Sequence, residues 1–165
     1  MHETILILDF GSQYTQLIAR RIRELNVYCE IHPFNHIPEL GEHIKGVILS
    51  GSPFSVRDEN SPAPDLSAIR GKYPLLGVCY GAQYLSMTDG GLVAPSEIRE
   101  YGRANLNFID HQNELVRGMA DGGQVWMSHG DTILEIPEKY RIIASTPDVK
   151  VAGFKISDES TYGIQ

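Results

Sequence analysis

The segment with the most chemistry per residue is Gly77-Val78-Cys79-Tyr80-Gly81-Ala82-Gln83. A nucleophile at a strand-to-helix junction sits on a sharp, strained turn that lifts its side chain above the sheet. Small residues two positions before and after it relieve the crowding, and Gly77 and Gly81 occupy those positions around Cys79. The partial positive charge at the start of the following helix would favour the thiolate over the thiol. The backbone N–H of Tyr80 would point to where an oxyanion develops. Gln83, one turn into the helix, would face the same pocket. Without this glycine frame a cysteine reads as a small buried hydrophobe, as Cys29 does.

Two further clusters could meet it. Leu49-Ser50-Gly51-Ser52-Pro53 closes a strand with a tight turn, and the N–H of Ser52 is a candidate second oxyanion donor beside that of Tyr80. Trp126-Met127-Ser128-His129-Gly130-Asp131 ends a later strand. His129 there is either a general base oriented by Asp131 or one of several polar groups that grip a substrate. The remaining histidines, His2, His32, His36, His43 and His111, carry no motif.

The elements that must position these clusters alternate early in the chain. Thr4–Phe10 is an unbroken apolar run closed by Asp9, the pattern of a strand covered on both faces. Gln13–Leu25 places Leu17, Ile18, Ile22 and Leu25 at helical spacing between charged residues. Val27–Ile31, Gly46–Ser50 and Pro74–Val78 read as further strands, with a short helix expected after the second, a helix after the third and another over Gly81–Met87. This is the rhythm of a doubly wound α/β sheet. Beyond Gly91 the segments Arg103–Ile109, Gln124–Ser128, Arg141–Ser145, Val149–Ile156 and Tyr162–Gln165 all read as strands, expected as antiparallel additions at the edge of the parallel core. The Pro/Ser-rich stretch Ser52–Pro64 reads as a long loop at a strand's carboxyl end, where such folds place their sites.

Composition bounds the rest. The chain has 165 residues, 42% hydrophobic and 21% charged, with a formal charge of −7. That suits one globular domain and argues against a surface built for nucleic acid or anionic lipid. No apolar run has the length of a membrane span. Two cysteines make no disulfide framework, so the expected compartment is the reducing cytoplasm. Assembly into a homo-oligomer stays open.

In order and spacing the three clusters resemble the Gly-x-Cys-x-Gly-x-Gln class I glutamine amidotransferases. Ile7–Tyr14 and Arg99-Glu100-Tyr101-Gly102 extend the resemblance, which runs from Ile5 to Gln165. It implies a flavodoxin-like, mostly parallel sheet and a glutaminase reaction. Cys79 would attack the amide carbon of glutamine, form a γ-glutamyl thioester and release ammonia. Ser52 and Tyr80 would form the oxyanion hole, with Ser-Pro where the family has Gly-Pro. Gly51, Gln83, Ser128, His129, Gly130 and Asp131 would hold the substrate. No cofactor is implied for these residues. ATP and Mg²⁺ would belong to a partner synthetase domain that the ammonia feeds. In the family a Phe-His-Pro-Glu segment, carrying the base, follows the positions matched by Tyr162–Gln165. The expectation is thus a glutaminase domain, residues 1–165, that stops just before its base and is inactive or nearly so alone. Two readings compete: a thiol hydrolase using Cys79, His129 and Asp131, and a non-catalytic flavodoxin-like binding module.

Overall fold

In the computed structural model, residues 2–165 are described, the side chains of residues 98–100 excepted. The first apolar run forms strand β1 (Thr4–Asp9). Its side chains divide between two cores: Leu6 and Leu8 face one, Ile7 the other. This two-sided burial is why the run is continuous rather than alternating. Helix α1 (Thr15–Glu24) covers the second face, with Ala19, Ile18 and Ile22 packed against Ile5, Ile7 and Cys29. Arg20 and Arg21 on its outer side pair with Glu24.

Strands β2 (Tyr28–Pro33), β3 (Ile44–Leu49) and β4 (Leu75–Val78) follow. Helix α2 (Tyr80–Thr88) lies on the face opposite α1, among Leu6, Leu49, Leu75 and Phe154. One helix on each face makes the sheet doubly wound. The two connecting helices expected on either side of β3 do not form. Pro38 and Gly41 interrupt the first connection, and Pro53, Pro62 and Pro64 the second. All that remains helical there is a turn at Leu66–Tyr73, where Arg70 N–H donates to Leu66 C=O and Tyr73 N–H to Ile69 C=O.

The later strands are β5 (Leu92–Asn105), β6 (Phe108–Ile109), β7 (Gln124–Glu135), β8 (Tyr140–Ser145), β9 (Gly153–Ile156) and β10 (Thr161–Ile164). The main sheet runs β2-β1-β3-β4-β10-β9-β8-β6. Antiparallel strands β9, β8 and β6 extend the edge as expected. The last strand does not: β10 sits inside the sheet, parallel to β4. Strands β5 and β7 leave the sheet as a separate antiparallel ribbon. No described helix is long and apolar enough to cross a membrane.

The end of α2 remote from Cys79 is anchored by charge. Arg70 holds Asp89 through two hydrogen bonds of 2.7 Å and reaches Glu159 at 2.6 Å, while Tyr140 donates to Asp89 at 2.7 Å. The Arg70 guanidinium keeps the Asp89 carboxyl at about 2, below its ordinary 3.8. A depressed carboxylate stabilises the fold above its unfolded-state pKa and loses that contribution as pH falls through the folded one. The contribution is up to about 2 kcal/mol at neutral pH. We therefore expect Arg70→Met to be less stable than wild type in urea at pH 7, with the gap closing between pH 3.8 and about 2. Parallel curves across that range would show that Asp89 does not depend on Arg70.

Candidate active site

Cys79 is the N-cap of α2, with φ +50° and ψ −107°. Such a backbone is costly for a residue with a side chain and persists only where its surroundings fix it. Here the Cys79 N–H donates to Ile164 C=O of β10 (2.8 Å), and its own C=O accepts from Gln83 N–H (3.0 Å). The flanking glycines make the turn possible by close approach. A Cβ on Gly77 would lie 2.6 Å from the Gly81 carbonyl carbon, and one on Gly81 would lie 2.7 Å from Leu49 Cβ. Neither gap admits a methyl group.

The cavity above Cys79 measures about 540 Å³. Every residue singled out from the sequence lines it: Gly51, Ser52, Cys79, Tyr80, Gln83, Ser128, His129, Gly130 and Asp131. Gly51 abuts Cys79, since a Cβ built on it would stand 3.7 Å from Cys79 Cβ. Ser52 has no positive φ, so serine at this turn carries no left-handed strain. Tyr80 is the first helical residue, and the amides of a helix's first turn lack intrahelical acceptors, which leaves its N–H available to a ligand. Asp131 is the one formally charged residue among the described residues lining the cavity.

The ribbon brings Ser128–Asp131 over the sheet to this cavity, and side-chain bonds hold them there. The Asp131 carboxylate accepts from Ser55 Oγ at 2.5 Å and faces Arg57 at 3.5 Å. The His129 ring is held through Nδ1 by the main-chain carbonyl of Asp131 (2.7 Å). A carbonyl can only accept, so Nδ1 carries the proton. The orienter of His129 is therefore main chain, and the Asp131 carboxylate expected to orient it in a thiol-hydrolase triad is occupied by the 52–64 loop. That loop is tied down from below by α2, Tyr80 O–H donating to Pro62 C=O and Tyr84 O–H to Pro64 C=O (2.6 Å).

Ser12, Gln13, Tyr14, Ser55 and Tyr101 also line the cavity, and sequence reasoning does not select them. Ser55 is tied to Asp131, 76 positions away, so no local pattern marks it; Ser12, Gln13, Tyr14 and Tyr101 fall in segments that carry the family resemblance without a chemical role read for them. Of the Arg99–Gly102 segment, the side chains of Arg99 and Glu100 lie outside the described residues. Cys29 is buried on β2 with its Sγ 3.5 Å from Ala19 C=O, away from this site. The thiolate preference expected from the helix start meets an opposing effect. Burial pushes the thiol up, because a site shielded from water solvates the anion poorly.

The family model for class-I glutamine amidotransferases matches residues 6–165. The chain belongs to this family. Among the relatives of this amidotransferase chain is the glutamine-hydrolysing GMP synthase of Cytophaga hutchinsonii, 62% identical over all 165 residues. That of Phocaeicola vulgatus is 59% identical over the same length. The chain spans about a third (32%) of each relative's length. Among solved structures, a protein from Thermoplasma acidophilum named as part of a GMP synthase is 26% identical with a TM-score of 0.81, covering all of this chain and 83% of that one. A glutamine amidotransferase from Thermotoga maritima shares the fold at 20% identity, with a TM-score of 0.78 over all of this chain and 75% of its own.

Two outcomes test the geometry. Gly77→Ala and Gly81→Ala should each cost about 3 kcal/mol or more in urea denaturation; wild-type stability in both would mean the turn is looser than described. The rate of Cys79 alkylation by iodoacetamide should still be climbing above a pH of about 8.5, as expected for a thiol raised by burial, and a plateau at neutral pH would contradict this.

Proposed function

We propose that this chain is the glutamine-hydrolysing part of a GMP synthase. Cys79 attacks the side-chain amide carbon of glutamine, a γ-glutamyl thioester forms as ammonia leaves, and water then releases glutamate. The observation that carries the reading is the Cys79 elbow: a thiol on a strained, glycine-framed turn, inside a cavity lined by two candidate oxyanion donors. The main-chain N–H groups of Ser52 and Tyr80 are assigned to the oxyanion, where one such donor is worth about 3 kcal/mol of barrier. Asp131, which alone among the described lining residues carries a formal charge, is assigned to the α-ammonium of glutamine. Gly51, Gln83, Ser128, His129 and Gly130 complete the substrate's surroundings.

Because burial keeps the Cys79 thiol protonated at neutral pH, attack needs a base. We assign that base to the family's His/Glu segment, whose positions follow those matched by Tyr162–Gln165. The fold supports this assignment: β10 runs beside the nucleophile, its Ile164 carbonyl bound to Cys79 N–H, so chain continuing from Gln165 starts at the site. The ammonia would serve an ATP- and Mg²⁺-dependent synthetase part that aminates xanthosine monophosphate, in keeping with the name of the relatives. Cytoplasmic location follows from that role.

The test is ammonia release from glutamine together with protection of Cys79. Glutamine should slow alkylation of Cys79, and Cys79→Ala should abolish hydrolysis in a polypeptide that includes the His/Glu segment. The 165-residue chain alone should turn over at least a thousandfold more slowly than that longer polypeptide, the order lost when a nucleophile's base is removed. Equal rates would assign the base to His129, and alkylation indifferent to glutamine would refute the amidotransferase reading.

A further inference from the structure

The amide of Gln83 has a direction that its surroundings fix. Its Nε2 donates to the main-chain carbonyl of Asp131 at 3.2 Å and to Oε1 of Gln165 at 3.1 Å. A main-chain carbonyl only accepts, so the amide nitrogen, not the oxygen, must face it. Both protons of Nε2 are then in use. The polar atom of Gln83 left for the cavity is Oε1, which accepts and cannot donate.

The Asp131 carbonyl alone is a poor anchor for this arrangement. It also takes the Nδ1 proton of His129 at 2.7 Å, and a single hydrogen bond lets an amide swing about it. A second acceptor on the other proton fixes the amide plane. Gln83 is 4% exposed, so a proton left without an acceptor there would carry the full desolvation cost.

We propose that Gln165 is a positioning residue of the site. By accepting from Gln83 Nε2 it locks Oε1 of Gln83 towards the cavity, so that the pocket selects a ligand presenting an N–H donor there, the α-ammonium of an amino acid. The proposal rests on the glutamine-binding reading for its ligand, but the lock itself is a property of the free protein.

Two substitutions separate the lock from general packing. Gln165→Met keeps the side-chain volume and removes the acceptor; Gln165→Glu keeps an acceptor oxygen. Hydrogen exchange of the Gln83 side-chain amide, followed by NMR in the 165-residue protein without ligand, reads the lock directly. NMR titrations with L-glutamine and with glutaramate, which is glutamine without its α-ammonium, read its consequence. In Gln165→Met the Gln83 amide protons should exchange at least tenfold faster and the Kd for glutamine should rise about tenfold, the size of one lost hydrogen bond to a charged group. The Kd for glutaramate should not change, and Gln165→Glu should behave as wild type in all three measurements. Unchanged exchange in Gln165→Met, or equal weakening of both ligands, would overturn the proposal. Wild-type protein that binds no glutamine would instead overturn the glutamine reading, with the exchange result still deciding whether Gln165 holds Gln83.

Discussion

The close approach of three backbone segments at Gly77, Gly81 and Leu49 is the constraint on which the site depends. The carbonyl carbon of Gly81 lies 2.6 Å from where a Cβ on Gly77 would be, so β4 and the first turn of α2 touch with no side chain between them. That contact folds the chain back within a few residues and forces Cys79 to positive φ. The strain is balanced by what the turn puts in place: the Cys79 N–H on β10, its carbonyl inside the helix, and its side chain in the cavity. A residue with any Cβ at position 77 or 81 would push α2 away from the sheet, and with it the amide of Tyr80 and the side chain of Gln83.

Helix α2 carries this constraint to the rest of the site because it is buried on nearly every side. Tyr80, Gly81, Ala82, Gln83, Leu85 and Ser86 are all buried, whereas α1 buries only Thr15 and Ala19. A helix enclosed in this way cannot roll without disturbing several neighbours at once. Phe10 packs against the rings of Tyr80 and Tyr84, and the two tyrosine hydroxyls hold the 52–64 loop. At the other end Asp89 is gripped by Arg70. The helix is thus fixed at its start by close packing, along its length by aromatic contact, and at its end by paired charge.

What is legible in the sequence is what short segments encode. The glycine frame of Cys79, the two-faced run of β1 and the amphipathic α1 each follow from residues within a turn or two of one another. The connections around β3 are expected as helices only from the strand–helix alternation of the fold, which Pro38, Pro53 and Pro62 oppose. The place of β10 inside the sheet is not legible, since strand pairing joins Ile164 to Val78 across the whole second half of the chain. The same holds for Ser55 on Asp131, 76 positions apart, and Gln83 on Gln165, 82 apart. The helix-end argument for an activated thiolate is incomplete for a related reason. The dipole is local and visible in sequence, whereas the burial that raises the thiol comes from the assembled cavity.

A thiol raised by burial is not a defect in a site of this kind. A permanently ionised cysteine would be open to oxidation and to adventitious electrophiles. A buried thiol becomes a nucleophile only when a base and a ligand share the cavity with it, because the ligand excludes water and the base accepts the proton as the new bond forms. The Asp131 carboxylate is already held by Ser55 and Arg57, so its orientation is set within the protein. In the reading proposed above, the base comes along the line of β10, the strand that holds the Cys79 amide. On that reading the backbone of Cys79 and the path of its base form one structural unit. A change that loosens β10 from β4 would remove the elbow's hydrogen bond and, on that reading, the base's approach as well.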